Sequence, residues 1–301
     1  HPYVVTLCSR YGLLALQEIP AWNVPGEVLG DDFFQTLAEQ QTREMIRRDQ
    51  HQPAMLAWGV GDDFDSSDPR ARTYVERMVR VAKEADARPV YYGSKMLGID
   101  MCSDLVDIAC VSVPVNDLKE FKALLTEWTD QHKSQPVMLL RYGKTVQSNN
   151  HNGYSDPMSE EAQARFFMQY FAAIRELGIS GSFIQSFSDW RGDRPVLTVE
   201  QHDQYLHPVG LLSYGREKRL AFDVVKLVFA GQKVQALPIG KHRGSFPVVH
   251  IVAGFFVIFL IAYQYHYNRR FSESFKRSLL RAYNFFADLR DVRSVSVFHT
   301  L

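Results

Sequence analysis

The stretch MLAWGVGDDF, residues 55–64, decides how the fold is read. Met55 to Trp58 is an apolar run. Glycines at 59 and 61 interrupt it, and two adjacent aspartates, Asp62 and Asp63, follow. An unbroken apolar run closed by glycine is the mark of a strand buried on both faces, as in a parallel sheet covered by helices. The carboxyl ends of such strands are where α/β folds gather the groups that bind and react. Asp62 and Asp63 are therefore candidates for a site.

Working outward, five more runs carry the same signature: LLALQEIP (13–20, closed by Pro20), PVYYGS (89–94), LVDIACVSV (105–113), PVMLLRYG (136–143) and SGSFIQSFSDW (180–190). Helical patterns lie between them. YVVTLCSRYG ends at Gly12. DDFFQTLAEQQTREMIRRDQ has Asp31 or Asp32 as N-cap. A helix is expected over 69–85, another in DLKEFKALLTEWTDQH, and a closing one in REKRLAFDVVKLVFAG. SEEAQARFFMQYFAAIRELG is read with a capping box from Ser159 to Gln163 and a stop at Gly178. Six strands alternating with helices predict a parallel sheet with helices outside. A doubly wound sheet and a barrel both satisfy that pattern.

The composition is that of a globular protein: 46% hydrophobic and 23% charged over 301 residues, with 34 basic against 34 acidic side chains. This balance leaves no nucleic-acid footprint. Cys8, Cys102 and Cys110 have no metal-ligand spacing and are expected as buried free thiols. Neither a metal nor a cofactor is implied. Both ends of the chain read as cut, so the sequence is taken as part of a longer protein.

Past residue 230 the character changes. Residues 231–245 read as a linker. FPVVHIVAGFFVIFLIAY (246–263) holds no charged residue, and a transmembrane helix is expected over 246–265. Lys241 and Arg243 stand before it, Arg269 and Arg270 after it, and Tyr263, Tyr265 and Tyr267 mark an interface. Residues 266–301 are expected to form a basic amphipathic juxtamembrane segment, with Phe271, Phe275, Leu279, Phe286 and Leu289 on one side. Basic residues are denser beyond the span. This places the C-terminus in the cytoplasm and residues 1–230 on the extracytoplasmic side, with the lipid bilayer as partner.

Several short motifs then line up in order. Cys8-Ser9-Arg10-Tyr11-Gly12, Gln17-Glu18-Ile19-Pro20, Arg48-Asp49-Gln50-His51-Gln52-Pro53, Tyr142-Gly143, Gly181 to Trp190, and Gly210 to Arg219 follow one another as in a known family. In this order they resemble the catalytic barrel of family 2 glycoside hydrolases, the group of β-galactosidases, β-glucuronidases and β-mannosidases. The resemblance covers residues 1 to about 229. It implies a (β/α)8 TIM barrel of which this chain holds about strands three to eight. It also implies retaining hydrolysis of O-glycosyl bonds by two carboxylates about 5–5.5 Å apart.

Residue by residue, the resemblance places Asp63 where the family has its acid/base Glu, and Asp62 where it has the Asn that holds the sugar 2-hydroxyl. Arg141 stands at the nucleophile Glu, and Gln185 at a Trp that floors the sugar site. Arginine is permanently cationic and cannot attack an anomeric carbon. The expectation is a membrane-anchored pseudoglycosidase that binds carbohydrate, with Asp63 and Arg141 ion-paired across the old site and Glu18 joining them. Substrate contacts are expected from Glu18, Trp58, Asp62, Tyr142, Gln185, Asp189 and Trp190. For several of these a plainer role is open: Glu18 as a hydrogen-bonding residue of the mouth, Asp189 as a loop cap, and Trp58, Phe187 and Trp190 as core. The loop 144–156, with Asn149, Asn150, His151 and Asn152, either meets sugar hydroxyls or is solvated. Two other functions stay open: an active glycosidase with a rebuilt carboxylate pair, in which Glu18 or Asp189 takes a catalytic part, and a non-catalytic scaffold ectodomain. No particular protein partner is indicated.

Overall fold

The computed structural model describes residues 2–95, 99–113, 115–192, 195, 203–242 and 248–281, together with 283 and 290. The chain divides into two compact units, 1–242 and 243–301.

The first unit is built on a six-stranded, wholly parallel sheet. Its strands are β1 (Ala15–Glu18), β2 (Met55–Asp62), β3 (Val90–Ser94), β4 (Ile108–Ser112), β5 (Val137–Tyr142) and β6 (Gly181–Ile184). They pair in chain order from β1 to β6. A doubly wound sheet reverses its strand order at a switch point. This sheet never does, so its parallel strands curl in one direction as a partial barrel. A two-stranded ribbon, β7 (Trp190–Arg191) and β8 (Leu206–His207), follows β6.

The helices form where their caps and apolar spacing place them. They are α1 (Pro2–Tyr11), the short α2 (Gly26–Leu29), α3 (Asp32–Asp49), α4 (Pro69–Ala85), α5 (Leu118–Gln131), α6 (Glu160–Glu176) and α7 (Leu220–Phe229). Asp31, Asp68, Asp117 and Ser159 each accept a hydrogen bond from a first-turn backbone N–H, satisfying donors that the helix itself leaves open. The expected capping box on α6 is only half present. Ser159 accepts from the Ala162 N–H, but the Gln163 amide donates to the carbonyls of Lys144, Val209 and Gly210. Gln163 is fully buried, and its amide is directed to the carbonyls of the adjoining loops instead of back to the start of the helix.

Side chains alternate across β2. Trp58 and Val60 pack outward with Tyr74, Val75 and Met78 of α4, while Ala57 faces inward with Tyr91, Cys110 and Met138. A second outer cluster joins Val111, Leu139 and Tyr142 to Phe121, Leu125 and Trp128 of α5 and to Phe167 and Tyr170 of α6. The inner layer is small and leads to a cleft. The three cysteines are free: Cys102 and Cys110 are buried, whereas Cys8 on α1 is half-exposed. The expectation of burial fails at Cys8 because α1 buries only Val5.

Residues 231–242, read as linker, run back along the loop that follows β5. The Tyr154 and Ser155 N–H groups donate to the carbonyls of Pro238 and Ile239, and the His242 N–H donates to the Ser155 hydroxyl.

The second unit contains α8 (Val248–Tyr267) and α9 (Arg269–Leu280). α8 has mean hydropathy 2.0 and no part of it is buried, so by length and composition it can cross a bilayer. Residues 246 and 247 of the expected span, and Phe286 and Leu289 of the expected amphipathic face, lie outside the described residues.

Candidate active site at the carboxyl ends of the strands

The register of the sheet explains how the site assembles. Glu18, Gly59, Tyr91 and Ile108 lie side by side across β1 to β4. Nearer the carboxyl end, Asp62, Gly93, Cys110 and Met138 share a second row, and Ser112 lies beside Arg141. Glycine interrupts both rows where it matters. A Cβ at Gly59 would collide with the Glu18 Cβ and the Tyr91 ring, and a Cβ at Gly93 would land on the Asp62 carboxylate. These gaps let Glu18 meet Tyr91, and let Asp62 reach over β3 toward β5.

The end of β2 is clamped on both sides. The Asp62 N–H donates to the Ala21 carbonyl, the Asn23 N–H to the Asp62 carbonyl, and the Asp63 N–H to the Gly93 carbonyl. Gly61 (φ 146°) and Asp63 (φ 62°) take left-handed conformations. Glycine adopts these freely and aspartate tolerates them better than most residues. The turn brings Asp62 and Asp63 onto one partner. Arg141 Nη2 lies 3.1 Å from Asp62 Oδ1 and 3.2 Å from Asp63 Oδ1, while Arg141 Nε donates to Ser112 Oγ at 3.2 Å. Arg141 Nη1 has no partner among the described residues.

These groups edge an open cleft of about 350 Å³, lined by Leu16, Glu18, Asp62, Tyr91, Leu140, Arg141 and Phe183. Burial pushes the Glu18 carboxyl up to about 7; Asp62 adds to the rise, while Arg141 and the Tyr91 hydroxyl oppose it. Burial likewise raises Asp62 to about 6, against the pull of Arg141 and with a push from Asp63. The cleft thus holds two carboxyls that change charge near neutrality beside a cation that does not.

Not all residues expected to touch ligand lie here. Trp58 and Tyr142 are almost wholly buried in the outer clusters, because their positions alternate to the helix side of their strands. Asp189 is neither a cap nor a cleft residue. Its two oxygens accept from Arg219 Nη1 and Nη2 at 2.7 and 2.6 Å, and it accepts the Gly210 N–H. Both members of that pair are buried. Trp190 is 39% exposed and stacks on His207 at 3.7 Å, and Phe187 is exposed. The Gln185 N–H donates to the Tyr142 carbonyl, extending the β5–β6 ladder. In the loop after β5, Asn150 and Asn152 donate to Asp156, and His151 faces Glu161 at 3.3 Å. That loop borders a separate cavity of about 360 Å³ at the start of α6.

Tyr91, Ser112 and Arg219 were not singled out from sequence. Tyr91 and Ser112 sit one strand away from the residues they serve, and only the register reveals the pairing. Among the described residues no group of three or more His, Cys, Asp or Glu side chains is placed to hold a metal ion.

Comparison with known proteins agrees with this architecture. Residues 1–229 match the family described as glycosyl hydrolases family 2, TIM barrel domain. A β-glucuronidase of Streptococcus agalactiae is 25% identical over 251 residues, 73% of this chain and 41% of that protein. The β-glucuronidase of Rattus norvegicus is 26% identical over 219 residues, 66% of this chain and 33% of its own length. The chain therefore spans well under half of the relatives it matches. Among solved structures, a β-galacturonidase from Eisenbergiella tayi bound to galacturonate superposes with a TM-score of 0.69 at 20% identity, over 76% of this chain and 42% of that one. Bifidobacterium dentium β-glucuronidase complexed with coumarin-3-O-glucuronide gives 0.67 at 21%, over 76% and 39%. At such identities the structures speak to the fold alone. On the sequence match over residues 1–229 and a sheet whose strands run in unbroken parallel order, the chain belongs to the TIM-barrel domain family of the family 2 glycosyl hydrolases.

Proposed function

We propose that this protein is a membrane-anchored pseudoglycosidase whose cleft binds an acidic sugar without cleaving it. The observation that carries the proposal is Arg141. The family resemblance puts the nucleophile carboxylate at this position. A guanidinium there cannot attack carbon, and it repels the positive charge that develops at the anomeric centre of an oxocarbenium-like transition state. Asp63, at the acid/base position, is engaged with Arg141.

The same side chain supports binding. Arg141 is held by Asp62, Asp63 and Ser112, yet Nη1 is unspent among the described residues and the side chain is 23% exposed. A positioned guanidinium with a free edge suits a carboxylate. Several relatives are β-glucuronidases and one structural neighbour holds galacturonate, which makes a uronic acid the sugar to test first. Helix α8 serves as the membrane anchor, with the barrel on the extracytoplasmic side.

A second reading has its own support. Glu18 and Asp62 are two carboxyls raised toward neutrality in one cleft, the condition in which one can hold a proton while the other is ionised. That arrangement suits a hydrolase with a rebuilt acid/base pair.

The test is hydrolysis of aryl β-glucuronide, β-galactoside, β-mannoside and β-glucoside by the full-length protein. Thermal unfolding with and without glucuronate, galacturonate and neutral sugars accompanies it. No turnover with protection by the uronic acids is the expected result. Turnover that disappears in Glu18→Gln or Asp62→Asn supports the rebuilt site instead. Neither turnover nor protection would sink both readings and leave a scaffold.

A further inference from the structure

We propose that the elbow between α8 and α9 is a binding surface for anionic phospholipid headgroups, an inference that rests on α8 spanning the membrane. Asn268 follows α8 in an extended conformation, and its side-chain oxygen caps α9 by accepting the Phe271 N–H at 3.2 Å. α9 is therefore a new helix, separated from the apolar one by this single residue. If α8 crosses the bilayer, α9 starts at headgroup level, and phosphate-bearing lipids are the first anions it meets.

The two helices also touch. The Phe275 ring of α9 meets Tyr265 of α8 edge-on at 5.9 Å and the Lys276 ammonium lies over the same Tyr265 ring at 5.7 Å, while within α9 Phe271 stacks on Phe275 at 6.0 Å. This aromatic corner belongs to the residue types that settle at a membrane interface.

Charge segregates along α9. Phe271, Phe275 and Leu279 recur every fourth residue and so share one face, while Arg270 and Arg277 fall together on another and Arg281 caps the carboxyl end of the helix. Five basic residues stand between 269 and 281, and Glu273 is the single acidic one. Glu273 already faces Arg269 at 3.1 Å. A helix with an apolar stripe and an arginine face lies in the plane of a membrane, apolar side inward, and binds more strongly where the lipids are anionic.

The experiment uses the full chain in nanodiscs of phosphatidylcholine, with and without phosphatidylserine. Amide hydrogen exchange is followed across residues 269–281. Exchange is expected to slow roughly tenfold when phosphatidylserine is present, an effect well within what a few basic residues supply at an anionic surface. High salt should erase the difference, because exposed charges are screened. Arg270→Gln/Arg277→Gln/Arg281→Gln should enter the discs as before and lose the lipid dependence. Equal exchange in the two lipids, or a difference that survives in the triple variant, overturns the headgroup surface alone. A chain recovered outside the discs overturns the span and this surface with it.

Discussion

Gly93 and Asp62 face one another across β3 and β2, and the missing side chain at 93 is what opens the path from Asp62 to Arg141. A Cβ on Gly93 would occupy the position of the Asp62 carboxylate and press on Leu140 as well. Gly93→Ala should therefore break the Asp62–Arg141 contact while leaving the outer clusters intact. Overpacking of this kind costs on the order of 1–3 kcal/mol. Thermal unfolding should show the loss, and any protection by uronic acids should vanish. If the Gly93→Ala variant keeps both stability and ligand protection, the cleft is not organised by this gap.

Glu18 sets a pH dependence whose sign follows from its environment. Its carboxyl titrates near 7 in the folded protein against 4.5 for an ordinary glutamate, so between those values the folded state holds a proton that the unfolded chain has released. Its contribution to stability is present below about pH 4.5, falls as the pH rises, and is lost above about 7. Glu18→Gln, close in shape to the protonated acid, should remove that decline. The variant is expected to be more stable than the natural sequence by on the order of 2–3 kcal/mol at pH 8 and nearly equal to it at pH 4.5. Denaturant unfolding of both proteins at the two pH values checks this, and a constant difference would contradict the burial of Glu18 as its cause.

Ligand binding should run with the same protons. Above about pH 7 the cleft carries the charges of Glu18, Asp62 and Asp63 against one guanidinium. As the pH falls through about 7 and then 6, Glu18 and Asp62 become neutral and Arg141 is less fully compensated. A sugar carboxylate keeps its own charge to a pH near 3.5, as simple carboxyls do. Uronate affinity should therefore rise roughly tenfold or more from pH 8 to pH 5.5, an increment of about 1.4 kcal/mol. Titration calorimetry measures it. Arg141→Gln should abolish the trend, and affinity that falls on acidification would count against Arg141 as the anchor.

The order of strands and helices was legible in the sequence because each strand is a short apolar run with its own stop, such as Pro20 after β1 or Gly143 after β5. The meeting of Asp63 with Arg141 was legible from the family motif, which puts both residues at the carboxyl ends of strands that flank one site, although β3 and β4 lie between those strands. What could not be read is which side of a strand a residue faces once glycines and bulges interrupt the alternation. Trp58 and Tyr142 adjoin site residues in the chain but point to the helices. The raised carboxyl of Glu18 depends on its burial and on Asp62, which comes from a strand distant in sequence. Asp189 looked like a site residue because it falls near the end of the run 180–190, expected as the last strand; the strand itself stops at Ile184 and Asp189 lies in the segment beyond it. Its partner, Arg219, lies thirty residues away with only a loose motif to mark it.

That Asp189–Arg219 pair carries the last prediction. Both side chains are almost wholly buried, the two oxygens take the two terminal nitrogens, and Arg219 also donates to the Gly210 carbonyl and to Ser148. It thereby joins the segment between β6 and β7, the loop after β5 and the start of α7. Removing one member leaves the other as an unpaired charge in the interior, and such losses run to about 3–5 kcal/mol. Arg219→Met and Asp189→Leu should each destabilise the barrel by that order. The double variant, which removes both charges, should recover much of the loss. Throughout the series the natural protein's pH dependence of uronate binding should persist in whatever fraction folds, because neither residue lines the Glu18–Asp62–Arg141 cleft. Unfolding measurements on the two single variants and the double close a thermodynamic cycle. A coupling near zero would contradict the pair as a tie that holds the fold together.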